Sequence, residues 1–403
     1  MVDNKSTQIK TGIYRPRDPR NTALYKLIED YFEDFCDIYE QRYETKAGPL
    51  RAIVNEVIEK YLDCGLLHNG FCRVYCKDCK HEFLVAYSCK SRYFCPSCHQ
   101  KRVLLWSDWV LEDLLDDVSH RQLVFTIPRV LRNAFHRNRD LLGKLSSCAA
   151  ETVKEVIRTA FDDKSIQPGI ISCIHSYGRQ IRWNPHIHIL TSSGGFDDEA
   201  VFHYLSSFPE REMALIFREK VFKMLIDEHF LSESFAETMR KWTYSGFSVH
   251  QSSAVVSSDK SGKINLTHYI SRAPFSLSKL IYDSQKGSVI YSSKGEKQSF
   301  DPIEFIFLLV KHIPDKGQVL IRYYGWYSNA SRGKRNPKED KDSSTAQISE
   351  DFPSLKERKK RWAALIRKVY EVDPLECPRC GAVMKIISFR INMMIKNMIW
   401  HVL

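Results

Sequence analysis

Residues 174–190 read I-H-S-Y-G-R-Q-I-R-W-N-P-H-I-H-I-L. Trp183 to Leu190 alternates as a strand does, with side chains turning to opposite faces every residue. His186 and His188 therefore share one face, and Ile187 and Ile189 share the other. Two imidazoles on one strand face make half of a metal site. Gly169 to Tyr177 is the partner strand, and Gly178 to Arg182 is the hairpin connection. A symmetric hairpin sets His175 opposite His186, because directly paired residues of antiparallel strands share a face. A slip of one residue would remove that third imidazole. Taken alone, the H-x-H motif is also what a satisfied pair of buried histidines looks like.

Composition bounds what such a site serves. At 403 residues the chain is long enough for two or three domains, and 43% apolar residues supply a sizeable core. A formal net charge of +11 suits a polyanionic partner, most often nucleic acid. No apolar run approaches the ~18 residues of a membrane span. The first residues, M-V-D-N-K-S-T-Q, lack the apolar core of a signal peptide. The expectation is a soluble, cytoplasmic protein with no membrane partner and no small-molecule substrate. Twelve cysteines in that compartment point to metal rather than disulfides.

Six of the twelve lie between Cys72 and Cys98. Cys76 and Cys79 form one C-x-x-C, and Cys95 and Cys98 form another after fifteen intervening residues. That spacing predicts one tetrahedral structural Zn²⁺ site built from these four thiolates. Cys72 and Cys89 are left over, with Cys89 able to replace a knuckle cysteine or simply be buried. Arg73, Lys90, Arg92, Lys101 and Arg102 surround the knuckles with aromatics between them, a texture that suits DNA contact. A solvated basic surface around a mini-core is the plainer reading.

Elsewhere the pattern predicts helices at Leu24 to Tyr43, Ala52 to Leu62, Val103 to Val118 and Asp140 to Phe161, and a strand at Gln122 to Ile127. The first helix has Asn21-Thr22 as its cap. The fold class expected is α+β. The divisions are a helical region over 1–70, a zinc module over 71–102, a catalytic domain over 103–327, a linker over 328–352, and a basic helix with a C-x-x-C segment over 353–403. Cys377 and Cys380 read as half a knuckle with no second pair to complete it, so a tight turn with two free thiols is expected there.

Six segments in order carry a resemblance: S-C-K-S-R-Y-F-C-P-S-C, R-Q-L-V-F-T-I-P, the histidine hairpin, L-T-H-Y-I-S-R-A-P, R-Y-Y-G-W-Y-S-N and L-E-C-P-R-C-G-A-V-M. From about Tyr61 to Phe389 the chain resembles rolling-circle transposases of the HUH endonuclease superfamily, the ninety-one-type insertion-sequence transposases. The resemblance implies an antiparallel sheet flanked by helices, with a small N-terminal zinc-binding domain. It implies Tyr269 as nucleophile, a Mg²⁺ or Mn²⁺ ion on His186 and His188, and a 5′ phosphotyrosine link to single-stranded or hairpinned transposon DNA. The partner would be transposon-end and target DNA in a bacterial nucleoid. Some relatives carry a second tyrosine four residues upstream; Asn265 stands there, so the chain resembles the single-tyrosine type. The final residues, from Arg390 on, depart from the family pattern and stop early.

From the residues alone, Tyr269 is one of 19 tyrosines, and Tyr323 and Tyr324 are rivals. Arg272, three residues on, would share the helical face of Tyr269 and hold a phosphate. A phenol ordinarily ionises near pH ~10, so attack needs a site that stabilises developing negative charge. Two classes of function stay open: a strand-cutting and strand-joining enzyme, or a zinc-module DNA-binding protein whose histidines are structural. A replication initiator or relaxase would share the first chemistry.

Overall fold

The computed structural model describes residues 18–335, apart from Arg92 and Lys294, and residues 375–391. In chain order the principal elements begin with α1 (Ala23–Tyr39), α2 (Ala52–Leu62), β1 (Gly70–Cys76), β2 (Glu82–Ala86) and α3 (Pro96–Trp109). Then come β3 (His120–Thr126), α4 (Asp140–Phe161), β4 (Gly169–Tyr177), β5 (Trp183–Ser192), β6 (Gly194–Phe196) and β7 (Phe202–Tyr204). They are followed by α5 (Glu210–Asp227), α6 (Glu233–Arg240), β8 (Ser248–Gln251), α7 (Lys260–Ile270), β9 (Leu280–Asp283), β10 (Ser288–Ser293) and β11 (Glu296–Phe300). The last are α8 (Pro302–Val310), β12 (Ile321–Gly325), α9 (Asn329–Arg335) and β13 (Met384–Ile391). The fold is α+β, with antiparallel sheets flanked by helices.

A five-stranded antiparallel sheet, ordered β12-β4-β5-β3-β8, is the centre. Its two faces are sorted by the strand period. Leu123, Phe125, Ile170, Ile174, Ile187 and Ile189 point into the main core, where α4 and α5 cover them. Ile171, Cys173 and Leu190 point the other way, against Val110, Leu114, Leu266 and Ile270. The histidine face is thus roofed by the end of the α3 region and by α7.

The histidine hairpin has the expected register: His175 lies opposite His186, and Cys173 opposite His188. Its connection is tight, with Gln180 and Ile181 both at positive φ. That conformation is costly for a β-branched residue, and two contacts hold it. The Ile181 side chain is buried, and its carbonyl accepts a hydrogen bond from His312 Nε2 at 2.7 Å.

Three expectations shift. The helix read from Val103 begins at Pro96, since proline suits the first turn and needs no N–H there. It runs on through a wider turn over Val110–Leu114. Residues from Ser328, read as linker, begin with the short helix α9; the rest of that stretch and the basic helix read over Leu355 to Val369 lie outside the described residues. The stretch from Phe275 to Ile313, assigned to the catalytic domain, shares one core with α1 and α2. Thr22 caps α1 as expected, its side chain accepting from the Tyr25 N–H at 3.2 Å. Among the described residues, no helix is long and apolar enough to cross a membrane.

Candidate metal and nucleophile site

Nitrogen donors of His175, His186 and His188 all lie within 4.8 Å of one another, and all three side chains are buried. Each ring has one nitrogen engaged. His175 Nε2 donates to the Ile270 carbonyl at 2.8 Å, and His186 Nδ1 donates to the Asn184 carbonyl at 2.8 Å. His188 Nδ1 pairs with the Gln122 side-chain amide at 2.6 Å. Two of the remaining nitrogens, His175 Nδ1 and His188 Nε2, are buried without any hydrogen-bond partner.

Orphaned buried nitrogens are costly unless something binds them. The carbonyl contacts of His175 and His186 fix tautomers that leave the other lone pair free, as metal-bound histidines require, and turning the Gln122 amide so that its oxygen faces Nδ1 does the same for His188. Burial, joined by the positive neighbour Arg272, holds all three imidazoles well below their ordinary pKa, His186 down to about 4. They are neutral donors at physiological pH. The donor set fits a divalent transition ion with open positions for other ligands.

Tyr269 stands beside this face, near the end of α7. Its ring centroid is 5.5 Å from that of His188, and its side chain is 44% exposed, so an incoming strand can reach it. The helix end is pinned through three successive carbonyls. Ile270 O accepts from His175, Ser271 O from His99 Nε2 at 3.0 Å, and Arg272 O from Tyr177 Oη at 2.8 Å. The tyrosine is therefore held by the metal strand itself and by α3. Ser107 of α3 adds a buried hydroxyl bond to Thr267 at 2.6 Å.

Arg272 is not on the helix, which ends at Ile270. Its guanidinium still reaches back over the Tyr269 ring, 4.6 Å from the centroid. The rival tyrosines lie elsewhere, on the edge strand β12. Tyr323 Oη accepts from Trp106 at 2.8 Å, and Tyr324 Oη is bonded to Ser146 at 3.0 Å. Sequence reasoning missed His99, Gln122 and Tyr177. The alternation of Q-L-V-F in β3 put Gln122 on the histidine face, but nothing local marked His99 as a partner of α7.

The cysteines are sorted differently from the expectation. Cys76 and Cys79 do not join Cys95 and Cys98. One cluster is Cys64, Cys89, Cys95 and Cys98; the other is Cys76, Cys79, Cys377 and Cys380. The reason is the hairpin. Cys76 and Cys79 sit at the tip of β1–β2, whereas Cys89 follows the return strand and Cys95 opens α3. A seven-residue strand at about 3.3 Å per residue carries the tip roughly 20 Å from the base. The turn expected at Cys377 and Cys380 is present, but its two thiols face Cys76 and Cys79. Cys72, mid-strand, is buried in the small core of the module and belongs to neither cysteine cluster.

In the first cluster Cys64 Sγ is 3.8 Å from both Cys95 Sγ and Cys98 Sγ, and Cys89 Sγ is 3.5 Å from Cys98 Sγ. Four thiolates around zinc, with bonds of ~2.3 Å, have tetrahedral edges of about 3.8 Å, whereas a disulfide measures ~2.05 Å. The Cys64, Cys89 and Cys98 sulfurs, together with burial, push the Cys95 thiol far up. Four sulfurs at these separations are a donor set that fits zinc.

The basic residues of the module are less uniform. Arg73 is bonded to Glu82, with its Nε at 2.9 Å from the carboxylate. Lys90 and Arg102 are exposed and Lys101 half-buried, while Arg92 lies outside the described residues.

Residues 31–127 match a family described as "Transposase zinc-binding domain", and residues 169–335 match one described as "Putative transposase". A transposase for insertion sequence element IS801 from Pseudomonas savastanoi pv. phaseolicola is 27% identical over 357 residues, 83% of each chain. A protein of Sinorhizobium fredii, also described as a "Putative transposase", is 24% identical over 288 residues, 64% of this chain and 71% of its own. No solved structure matches the chain. With the histidine hairpin inside one matched segment and the first cysteine cluster inside the other, the chain belongs to the ninety-one-type insertion-sequence (IS91) transposases.

Proposed function

We propose that this transposase cuts and rejoins single DNA strands by a phosphotyrosine route, with Tyr269 as nucleophile. The observation that carries the reading is the position of the Tyr269 ring, half-exposed and 5.5 Å from that of His188, beside three neutral imidazoles of which two have a buried nitrogen without a hydrogen-bond partner. Tyr269 Oη attacks the scissile phosphorus and loses its proton as the new P–O bond forms. The bond to the 3′ oxygen breaks, leaving a 3′ hydroxyl and a 5′ phosphotyrosine. Attack by a free 3′ hydroxyl reverses the step and joins strands without ATP.

His175, His186 and His188 would hold the Mg²⁺ or Mn²⁺ ion, which when bound polarises the phosphoryl oxygens. Arg272, over the Tyr269 ring and beside the triad, supplies a fixed positive charge for the phosphate and the developing phenolate. The carbonyl contacts from His175, His99 and Tyr177 orient the helix end, which lowers the entropic cost of alignment.

DNA is the partner that the family implies. The finer reading is a single-stranded or hairpinned transposon end, bound in the bacterial nucleoid, with Arg73, Lys90, Arg92, Lys101 and Arg102 on its phosphates. Cys64, Cys89, Cys95 and Cys98 are the set that would hold the zinc of the N-terminal domain.

The test is covalent capture. Full-length protein with Mn²⁺ and a labelled single-stranded end should give an adduct that survives denaturation. Tyr269→Phe should abolish it with binding nearly unchanged, and His186→Ala should lower it at least 100-fold. An adduct that persists in Tyr269→Phe would remove the nucleophile assignment. Binding without any adduct would favour a DNA-binding module with structural histidines.

A further inference from the structure

We propose that Cys76, Cys79, Cys377 and Cys380 form a second, separate zinc site, whose ligands come from the two ends of the chain. The first pair belongs to the matched zinc-binding domain, but Cys377 and Cys380 lie beyond both matched segments, which end at residue 335. The site therefore makes the N-terminal module bipartite, and it stands whether or not Tyr269 is the nucleophile.

The sulfur geometry is the first support. Cys79 Sγ is 3.4 Å from Cys377 Sγ, and Cys76 Sγ is 3.6 Å from Cys380 Sγ. These are near the edges of a zinc tetrathiolate, about 3.8 Å, and far from a disulfide. All four sulfurs lie within 4.8 Å of one another.

The backbone is the second and independent support, because the two C-x-x-C turns are built alike. The Cys76 N–H donates to the His81 carbonyl at 2.8 Å, and the Cys377 N–H donates to the Ala382 carbonyl at 2.8 Å. Each bond spans the same five residues. The fourth residue after each first cysteine has positive φ, 62° at Lys80 and 72° at Gly381. The flanking residues pair in the same way, Tyr75 with Glu82 and Glu376 with Val383. Two matched knuckles thus face each other with two thiols apiece. Cys95 and Cys98 are different, since they cap and open a helix.

The sheet register is the third support. β13 pairs antiparallel with β1 and sets Met384 opposite Cys76, which puts the second knuckle at the same end as the first. The core there is small: Cys72, Val74, Val85, Met384 and Ile386 are its buried members besides Cys76 and Cys377. A core of that size is where a structural metal supplies what burial cannot. Zinc would fasten β13 as the third strand of this sheet and close the chain from Lys80 to Glu376 into one loop.

The experiment reads metal directly. Native mass spectrometry of the full chain, purified without chelators and carrying His186→Ala so that the histidine site drops out of the count, should show two bound zinc ions, and the cysteine variants are made in that background. Cys377→Ser/Cys380→Ser should retain one, and Cys95→Ser/Cys98→Ser should also retain one. A second readout needs no variant. Cys380 is exposed, so as a free thiol it would be alkylated at once; zinc should protect it until a chelator is added. One zinc in the His186→Ala chain, two zincs in Cys377→Ser/Cys380→Ser, or Cys380 alkylated as rapidly before chelation as after it would each overturn the proposal.

Discussion

The histidine face and the cysteine module are both ligand clusters on antiparallel hairpins, yet they assemble in opposite ways. On the histidine face the donors lie close to the connection between β4 and β5, so pairing across the hairpin brings His175 to His186 beside the turn. In the module the arms of β1–β2 carry ligands to opposite ends of the strands, and each pair completes its set with cysteines from elsewhere. Donors grouped near one turn meet each other. Donors split between the turn and the open end of a hairpin fall into separate sites.

The difference predicts a difference in what each half depends on. The module has little apolar core and should depend on metal. Structural zinc sites contribute on the order of 10 kcal/mol of folding free energy. Chelation at neutral pH should therefore melt the module, while Cys98→Ser should loosen only its part around the first cysteine cluster; because His99 follows Cys98, either should also release the end of α7. The expected result is loss of the thermal transition of the module together with the DNA adduct. A chelated protein that keeps its full melting profile would break the comparison at its root.

That contrast also marks how far the sequence could be read. The histidine register followed from period two and a symmetric connection, and the helices at Ala52 to Leu62 and Asp140 to Phe161 followed from apolar spacing. These are local rules, and they held. The cysteine partition failed because C-x-x-C spacing says how each pair of thiols is presented, not which other pair it meets. Gly381 in C-P-R-C-G was a usable signal, since a positive φ is needed four residues after the first cysteine of a knuckle. Cys64, His99 and Phe275 to Ile313 carried no local sign of their partners, which are long-range.

The histidine half should instead be sensitive to acid. His120 and His312 are buried beside it, and burial lowers both to about 3. His120 Nε2 is 2.7 Å from Tyr327 Oη, and His312 is engaged through both nitrogens. The unfolded chain takes up these protons near pH ~6.5 and the folded chain only near pH ~3. Their contribution is thus complete above pH ~6.5 and is lost progressively as pH falls toward ~3. From pH 6.5 to 5 each should cost about 2 kcal/mol. Urea denaturation at pH 7.5 and 5 measures it, and His120→Gln with His312→Gln should flatten the slope. Equal slopes in parent and variant would remove the acid dependence from this half.

His99 joins the two halves, and its removal is the finest test of the comparison. The Tyr93 N–H reaches His99 Nδ1 at 3.3 Å, which leaves Nε2 as the donor to the Ser271 carbonyl. His99→Ala leaves that buried carbonyl without its partner, a loss of about 1–3 kcal/mol. The three candidate metal-ligand sets and the proposed DNA-contact residues are untouched, so zinc content and binding should match the parent. What should fall is the rate of adduct formation, because two of the three carbonyl contacts still hold the helix end while its carbonyl contact with α3 is gone. If His99→Ala cuts at the parental rate, Ser107 and Thr267 alone couple the module to the tyrosine. If it instead loses zinc, His99 serves the cysteine cluster rather than α7. A slower adduct at full zinc content and unchanged binding is the outcome that makes the module a positioning device for the nucleophile, and not only a grip on DNA.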